Sequence, residues 1–254
     1  MANEEHKRLL LQGVNQWNTW RKINHDLRLT PDLSNIDLYN MDLIGANFAF
    51  TNLTGTNLAF ANLGGANLVY ADLTDANLQR VNFVDADLSQ ANLTRANLTE
   101  VIFVETHLRE TDFMNAVIAH TVLANLDLRG CKHLDTIKHK ETSTLGIDTI
   151  MRSKGVLPRE FLQGVGLNEH FIAFLASLDY SSLKRRTTGE KYYTYETSPD
   201  GETIYTLLDT SKPVDQMVRQ TTEAPSGDEK TTEPYYLDSS AFIEKMSDVY
   251  KDSL

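Results

Sequence analysis

Three histidines, one cysteine and a long series of evenly spaced carboxylates are the residues with chemistry to offer. His107, His120 and His133 lie near one another in the sequence. None carries the short ligand spacing of a zinc site. His107 stands where most units place Asn or Asp, and reads as surface decoration. The recurrent Asp residues suggest calcium, as in some β-rolls. The GGxGxD pattern of those sites is absent, so Asp at five-residue spacing reads as turn chemistry. Cys131 is the sole cysteine and fits a buried structural thiol. Asp85 and Asp87 read as a solvated face. Gly64 and Gly65 lie inside a repeat and do not form a phosphate-cradling loop. No catalytic, cofactor-binding or metal-binding residue is therefore expected, and the chain reads as a non-enzyme without cofactor.

Charge narrows the remaining classes. The 254 residues carry a net charge of -11, which opposes direct binding to nucleic acid or an anionic membrane. The opening MANEEHKRLL lacks an apolar stretch of signal-peptide or spanning length. A single cysteine excludes an intrachain disulfide and suits a reducing compartment. A cytoplasmic location is expected.

The positioning elements follow from a repeat. From Leu33 to Leu128 an apolar residue recurs every five positions, through twenty units without insertion. Two residues before it stands a mostly small residue, such as Ala61, Ala66, Ala71 or Ala76, with Asn or Asp between in most units. A period of five suits neither helix nor strand, so the chain must bend once per unit. Residues two apart share a face when extended. The small residue and the leucine point inward, the Asn or Asp points away, and Asn, Asp and Gly tolerate the bends.

Units such as ANLTR, ANLTE, ADLTD and ANLVY resemble the A(D/N)LXX motif of pentapeptide-repeat proteins. That resemblance implies an all-β solenoid, a right-handed quadrilateral β-helix with four units per coil, here five coils over 31–130. Stacked coils should align residues twenty apart. Val81 and Phe83 fall under Val101 and Phe103, both pairs replacing Ala and Leu. Close packing requires such matched volume within a column.

An open solenoid end needs a cap. Residues 4–23 read as one amphipathic helix with Leu10, Val14 and Trp17 on one face, so 1–30 is expected to be an N-terminal lid. The repeat pattern fails at Cys131–His133. Three short helices follow, near 146–153, 158–163 and 168–178, with Asn168 as the last N-cap. The stretch 131–180 and the N-terminal lead-in resemble flanks of cyanobacterial pentapeptide-repeat chains that also carry a TIR domain. No TIR domain fits here, and its NAD-cleaving activity is not implied. KYYTYE and ETIYTLL around Pro199-Asp200-Gly201 read as a β-hairpin over 181–208. A flexible linker from 209 then leads to a terminal amphipathic helix at 239–251, within 209–254.

Function is expected on outward positions. Val84, Ile102, Val104 and Val122 fall on one outward face, and Phe242, Met246 and Val249 on one face of the last helix. These are the candidate protein-contact residues. Residues 31–130 carry twelve Asp/Glu, four Arg and no Lys. Pentapeptide-repeat proteins that shield DNA gyrase are held to imitate duplex DNA with an acidic rod. The primary reading is a scaffold or adaptor for a protein partner of unnamed identity. The alternative is an acidic DNA mimic acting on a DNA-binding enzyme such as gyrase.

Overall fold

The computed structural model describes residues 2–24 and 30–178, and the strands Lys191–Thr197, Thr203–Asp209 and Val218–Thr221. The chain divides into two compact units, Met1–Tyr180 and Ser181–Leu254.

In the first unit each pentad forms one side of a four-sided coil. Side one holds 31–35, 51–55, 71–75, 91–95 and 111–115, and sides two, three and four follow at steps of five. Residues twenty apart pair in parallel: Asp32 with Asn52, Asp37 with Asn57, Asp42 with Asn62, Asn47 with Asn67, and so along the rod. Leu33 N donates to Asn52 O at 2.9 Å, Asn52 N to Pro31 O at 2.8 Å, and Asn35 N to Thr54 O at 2.8 Å. Each side is so short that most contain a single bridge. Three-residue strands appear only late, as β1 (Ile102–Val104) beside β3 (Val122–Ala124).

The first and third positions of every pentad supply the core. Leu53, Leu63, Leu73, Leu93 and their equivalents are fully buried. Phe83 stacks on Phe103 with centroids 5.4 Å apart and planes 7° from parallel, flanked by fully buried Val81 and Val101. The paired bulky column read from the sequence is thus present. Inward threonines bond to a carbonyl 23 residues back: Thr56 to Leu33, Thr106 to Phe83, Thr111 to Leu88, Thr121 to Leu98. Cys131 follows the same rule, its Sγ 3.1 Å from Leu108 O.

The bend differs from its sequence reading. The residue with left-handed backbone is the fifth of each pentad, at all twenty corners from Asn35 to Gly130. The Asn or Asp at the second position serves the turn differently: its side-chain oxygen accepts the N–H two residues on, as Asn52 does from Thr54 at 3.0 Å. The same side chains form ladders. Asn97 donates to Asn77, Asn77 to Asn57, and Asn57 to Asp37, at 2.8–3.2 Å. The ladder has a direction, so its first member needs only an acceptor, and Asp supplies one.

The N-terminal lid is two helices, where the sequence suggested one. Here α1 is Glu4–Leu11 and α2 is Val14–Ile23, broken at Gly13, whose φ is 110°. Asn3 caps α1 by accepting from Glu5 N and His6 N. Leu10 and Trp17 are fully buried, and Trp17 packs on Phe48 with centroids 5.7 Å apart. The lid also occupies backbone groups that no earlier coil reaches. Asn3 N donates to Asp32 O, and His6 Nδ1 accepts from Asp32 N. Asn18 Oδ1 accepts from Asn47 N, and Arg21 donates to Ala49 O.

At the other end the coil outlasts the motif. Asp112 pairs with Lys132, twenty on. The offset grows to 21 where β2 (Val117–Ile118) meets β4 (Lys138–His139), then to 22 where β3 meets β5 (Thr144–Leu145). A 3-10 turn at Leu134–Thr136 absorbs the first extra residue. This sixth, incomplete coil lies inside 131–180, beyond the five expected. Helices α3 (Ile147–Arg152), α4 (Arg159–Gly164) and α5 (Glu169–Ala176) follow close to their expected places, with Asn168 Oδ1 accepting from Phe171 N. Thr149 on α3 and Ser153 just after it accept the N–H groups of Leu126 and Leu128, in place of a further strand. Phe161, Leu162, Val165 and Ile172 join the rod's core.

In the second unit β6 (Lys191–Thr197) pairs antiparallel with β7 (Thr203–Asp209), with Thr197 opposite Thr203, as the hairpin reading requires. Strand β8 (Val218–Thr221) pairs antiparallel with β7, inside the stretch read as linker. It is short and mostly polar, so backbone pairing defines it where composition suggests a loop.

Candidate protein-contact surface

Stacking decides what the rod can present. Second-position side chains are mostly half-buried in their ladders, and most fourth-position side chains are shaded by the coils on either side. Fifth positions sit on the corners and form the projecting surface. This ordering corrects the emphasis of the sequence reading. Val84, a fourth-position residue, is buried at 5%. Val104 and Val122 are half-buried, and Ile102 is 40% exposed. Along side three the register sets Ile102 beside Val122 and Val104 beside Ala124. Phe242, Met246 and Val249 lie outside the described residues, as do the linker flanks and the terminal helix.

Each corner forms a column along the rod. The second-side column runs Asn40, Phe60, Arg80, Glu100, His120. Tyr39 packs on Phe60 with centroids 5.3 Å apart, Arg80 lies 5.1 Å over the Phe60 ring, and Arg80 Nε meets Glu100 at 2.5 Å. The Arg80 bond holds the Glu100 carboxyl below its usual range. On the diagonally opposite corner Phe50 stacks on Tyr70 at 4.8 Å and 14°, and Gln90 donates to Glu110. On the first-side corner Arg95 grips Asp75 with two bonds, 2.6 and 2.7 Å, which lower the Asp75 pKa. The aromatic pairs occupy the early coils and the ion pairs the later ones.

Phe50, Phe60 and Tyr70 hold positive φ of 58–64°, a region bulky residues rarely adopt. Stacking on a neighbour one coil away offsets part of that strain, since aromatic pairs contribute about 0.5–1.5 kcal/mol. Sequence reasoning missed these residues because it tracked the inward column. The signal was available: aromatic and Arg residues recur at twenty-residue spacing in the last place of the pentad.

The histidines do not converge. His133 Nδ1 lies 2.7 Å from Asp112 Oδ1 on side one, His107 pairs with Asp87 on side four, and His120 sits on the second-side corner. Among the described residues no group of His, Cys, Asp and Glu could hold a metal ion. Burial pushes the Cys131 thiol up to about 12, so it is not a nucleophile at neutral pH. No helix among the described residues is long and apolar enough to cross a membrane.

Residues 32–68, 56–95, 71–109 and 96–132 match the family of pentapeptide repeats, eight copies in all. No curated protein matches the chain. Among solved structures it is similar to a pentapeptide repeat protein from the cyanobacterium Cyanothece 51142, with 41% identity over 32% of this chain and a TM-score of 0.32. The chain spans 55% of that protein's length. It is also similar to a pentapeptide repeat protein from Nostoc Pcc 7120, 29% identical over 41% of this chain and 70% of that one, TM-score 0.29. A third is HetL from Nostoc sp. Strain PCC 7120, described as involved in heterocyst differentiation regulation. It is 22% identical over 46% of this chain and 71% of that one, TM-score 0.29.

Proposed function

We propose, from the premise that residues 32–132 are pentapeptide repeats folded as a right-handed quadrilateral β-helix, that the protein is a non-enzymatic scaffold for a protein partner. The carrying observation is the division of labour within each pentad. Inward positions are committed to packing, and corner positions are free to differ from coil to coil. Aromatic pairs at Tyr39–Phe60 and Phe50–Tyr70 stay partly exposed despite strained backbone. Exposed aromatic residues on a rigid frame are the usual anchors of protein contacts.

A second reading, an acidic mimic of duplex DNA, draws support from the threefold excess of acidic over basic residues in 31–130, twelve against four. Four carboxylates of that segment are already paired with its arginines: Asp75, Glu100, Glu110 and Asp127. That pairing lowers the field a DNA-binding enzyme would meet, and favours the scaffold.

Affinity capture from native lysate tests both readings, using wild type beside Tyr39→Ser with Phe60→Ser and Phe50→Ser with Tyr70→Ser. A partner held by wild type and lost from one double variant supports the scaffold. A DNA-binding enzyme displaced by added duplex DNA supports mimicry. Capture that neither variant changes overturns the corner surface as the contact.

A further inference from the structure

Among the described residues, the N-terminal lid bonds the rod's first edge mainly on sides one and four. On sides one and four it takes up the free groups of Asp32, Asn47 and Ala49, and Asn18 also reaches the Gly45 carbonyl at the corner that ends side three. On sides two and three the backbone N–H and C=O of Asp37 and Asp42, and the carbonyls of Tyr39 and Ile44, have no hydrogen-bond partner among the described residues. In inner coils the equivalent groups are bonded to the preceding coil: Asn57 N donates to Ile36 O, and Asn57 O accepts from Leu38 N. The C-terminal end is treated differently, since Thr149 and Ser153 reach the edge of side four there.

The open edge borders exposed apolar surface. Tyr39 and Ile44 are each 54% exposed, and Phe60 is 37% exposed beneath Tyr39. An unpaired strand edge beside an apolar patch is the geometry of strand addition, in which main-chain bonds supply affinity and side-chain pockets supply choice. Charge selects the occupant. Both edge residues at second positions are exposed aspartates, where inner coils favour Asn. A second copy of this chain would bring Asp37 and Asp42 against their own counterparts, and facing like charges are destabilising. Residues 31–130 contain no Lys, and the nearest Arg on this corner, Arg80, is engaged by Phe60 and Glu100.

We propose that sides two and three of the first coil form a strand-addition site for a peptide segment that bends once, as the pentads do, and carries basic residues five apart with apolar residues between them. Its main chain pairs with Asp37 and Asp42, its basic side chains meet their carboxylates, and its apolar side chains rest on Tyr39, Ile44 and Phe60. This rests on the scaffold reading and names the partner's chemistry.

The test is fluorescence anisotropy of the full chain with a labelled ten-residue peptide carrying two lysines five apart, with valine and glycine at the other positions. Saturable binding is expected, weakened by salt and abolished when alternate peptide amides are N-methylated. Asp37→Asn with Asp42→Asn keeps the side-chain oxygen that holds each turn and removes the charge, so it should fold as wild type and bind on the order of ten-fold more weakly. Tyr39→Lys adds repulsion at the same edge and should weaken binding further. Equal binding of the N-methylated peptide would reduce the effect to attraction by an acidic rod and overturn the proposal. So would unchanged affinity in the aspartate variant, or no saturable binding. Lysate capture separates the two ideas: a partner kept by the aspartate variant but lost from a corner-aromatic variant leaves the scaffold standing without this edge.

Discussion

The indole N–H of Trp17 donates to the Asn47 carbonyl at 2.8 Å, closing a strand edge of the first coil while the same ring seals the core above Phe48. Two roles meet in one side chain, and they can be separated. Trp17→Phe keeps most of the apolar volume and leaves the Asn47 carbonyl unpaired, at a cost of about 1–3 kcal/mol. Trp17→Ala also opens a cavity and should cost about 3–5 kcal/mol. Urea unfolding of both variants checks the order. Equal loss in the two would mean that only the hydrogen bond matters.

Removing residues 1–24 exposes the first coil on all four sides. Light scattering should then rise with protein concentration, as unpaired edges associate. A truncated chain that stays monodisperse with an unchanged melting curve would show that the two helices are not a cap.

Leu73 is fully buried in the middle coil. Leu73→Asp places a charge there with no partner, a change worth several kcal/mol, and the far-ultraviolet circular dichroism of the rod should collapse. A wild-type spectrum would contradict the stacked core.

Gly65 isolates the cost of the corner conformation. Its φ is 63°, and a Cβ added there would meet nothing within 4 Å. Gly65→Val should therefore destabilise by about 1–2 kcal/mol through backbone strain alone, and Gly65→Asn by clearly less, because Asn tolerates this region. Denaturant midpoints of the two variants give the comparison. If Val and Asn cost the same, the corner does not impose left-handed geometry in solution.

The inward column was legible because volume must match along it. Leucines at five-residue spacing and the Val81–Phe83 and Val101–Phe103 pairs state the coil size directly. The corner was less legible, because its left-handed backbone tolerates Phe50, Arg80 or Glu110 as well as Gly once neighbours stack, so no single residue type marks it. The ends were hidden for a different reason. Gly13 breaks the lid inside an otherwise continuous apolar face. The sixth coil drifts to offsets of 21 and 22, which a fixed five-residue frame cannot register. Thr149 and Ser153 close an edge with hydroxyls whose role appears only when Leu126 and Leu128 are beside them. The projecting contacts follow from these corners, which is why the sequence pointed to Val84, a residue that packing buries.

His139 offers a pH dependence at the C-terminal cap. Its ring lies between the sixth coil and α4, with the Phe161 centroid 5.8 Å away and the Gly164 backbone against the imidazole. Neither ring nitrogen has a side-chain hydrogen-bond partner, and both are shielded from solvent. Burial holds the His139 pKa below its ordinary value of 6.5. The unfolded chain thus takes up its proton at a higher pH than the folded one. The stabilising contribution of the neutral ring is fully present above about 6.5 and is lost as pH falls through and below that value. The melting temperature should decline from pH 7.5 to 5.5 in wild type. In His139→Gln, which cannot titrate, that part of the slope should vanish even if the variant is less stable throughout. An NMR titration of the ring protons gives a second readout, with a midpoint expected below 6.5. A midpoint at or above 6.5, or a pH slope unchanged by His139→Gln, would show that the ring is reached by water and takes no part in the cap's response.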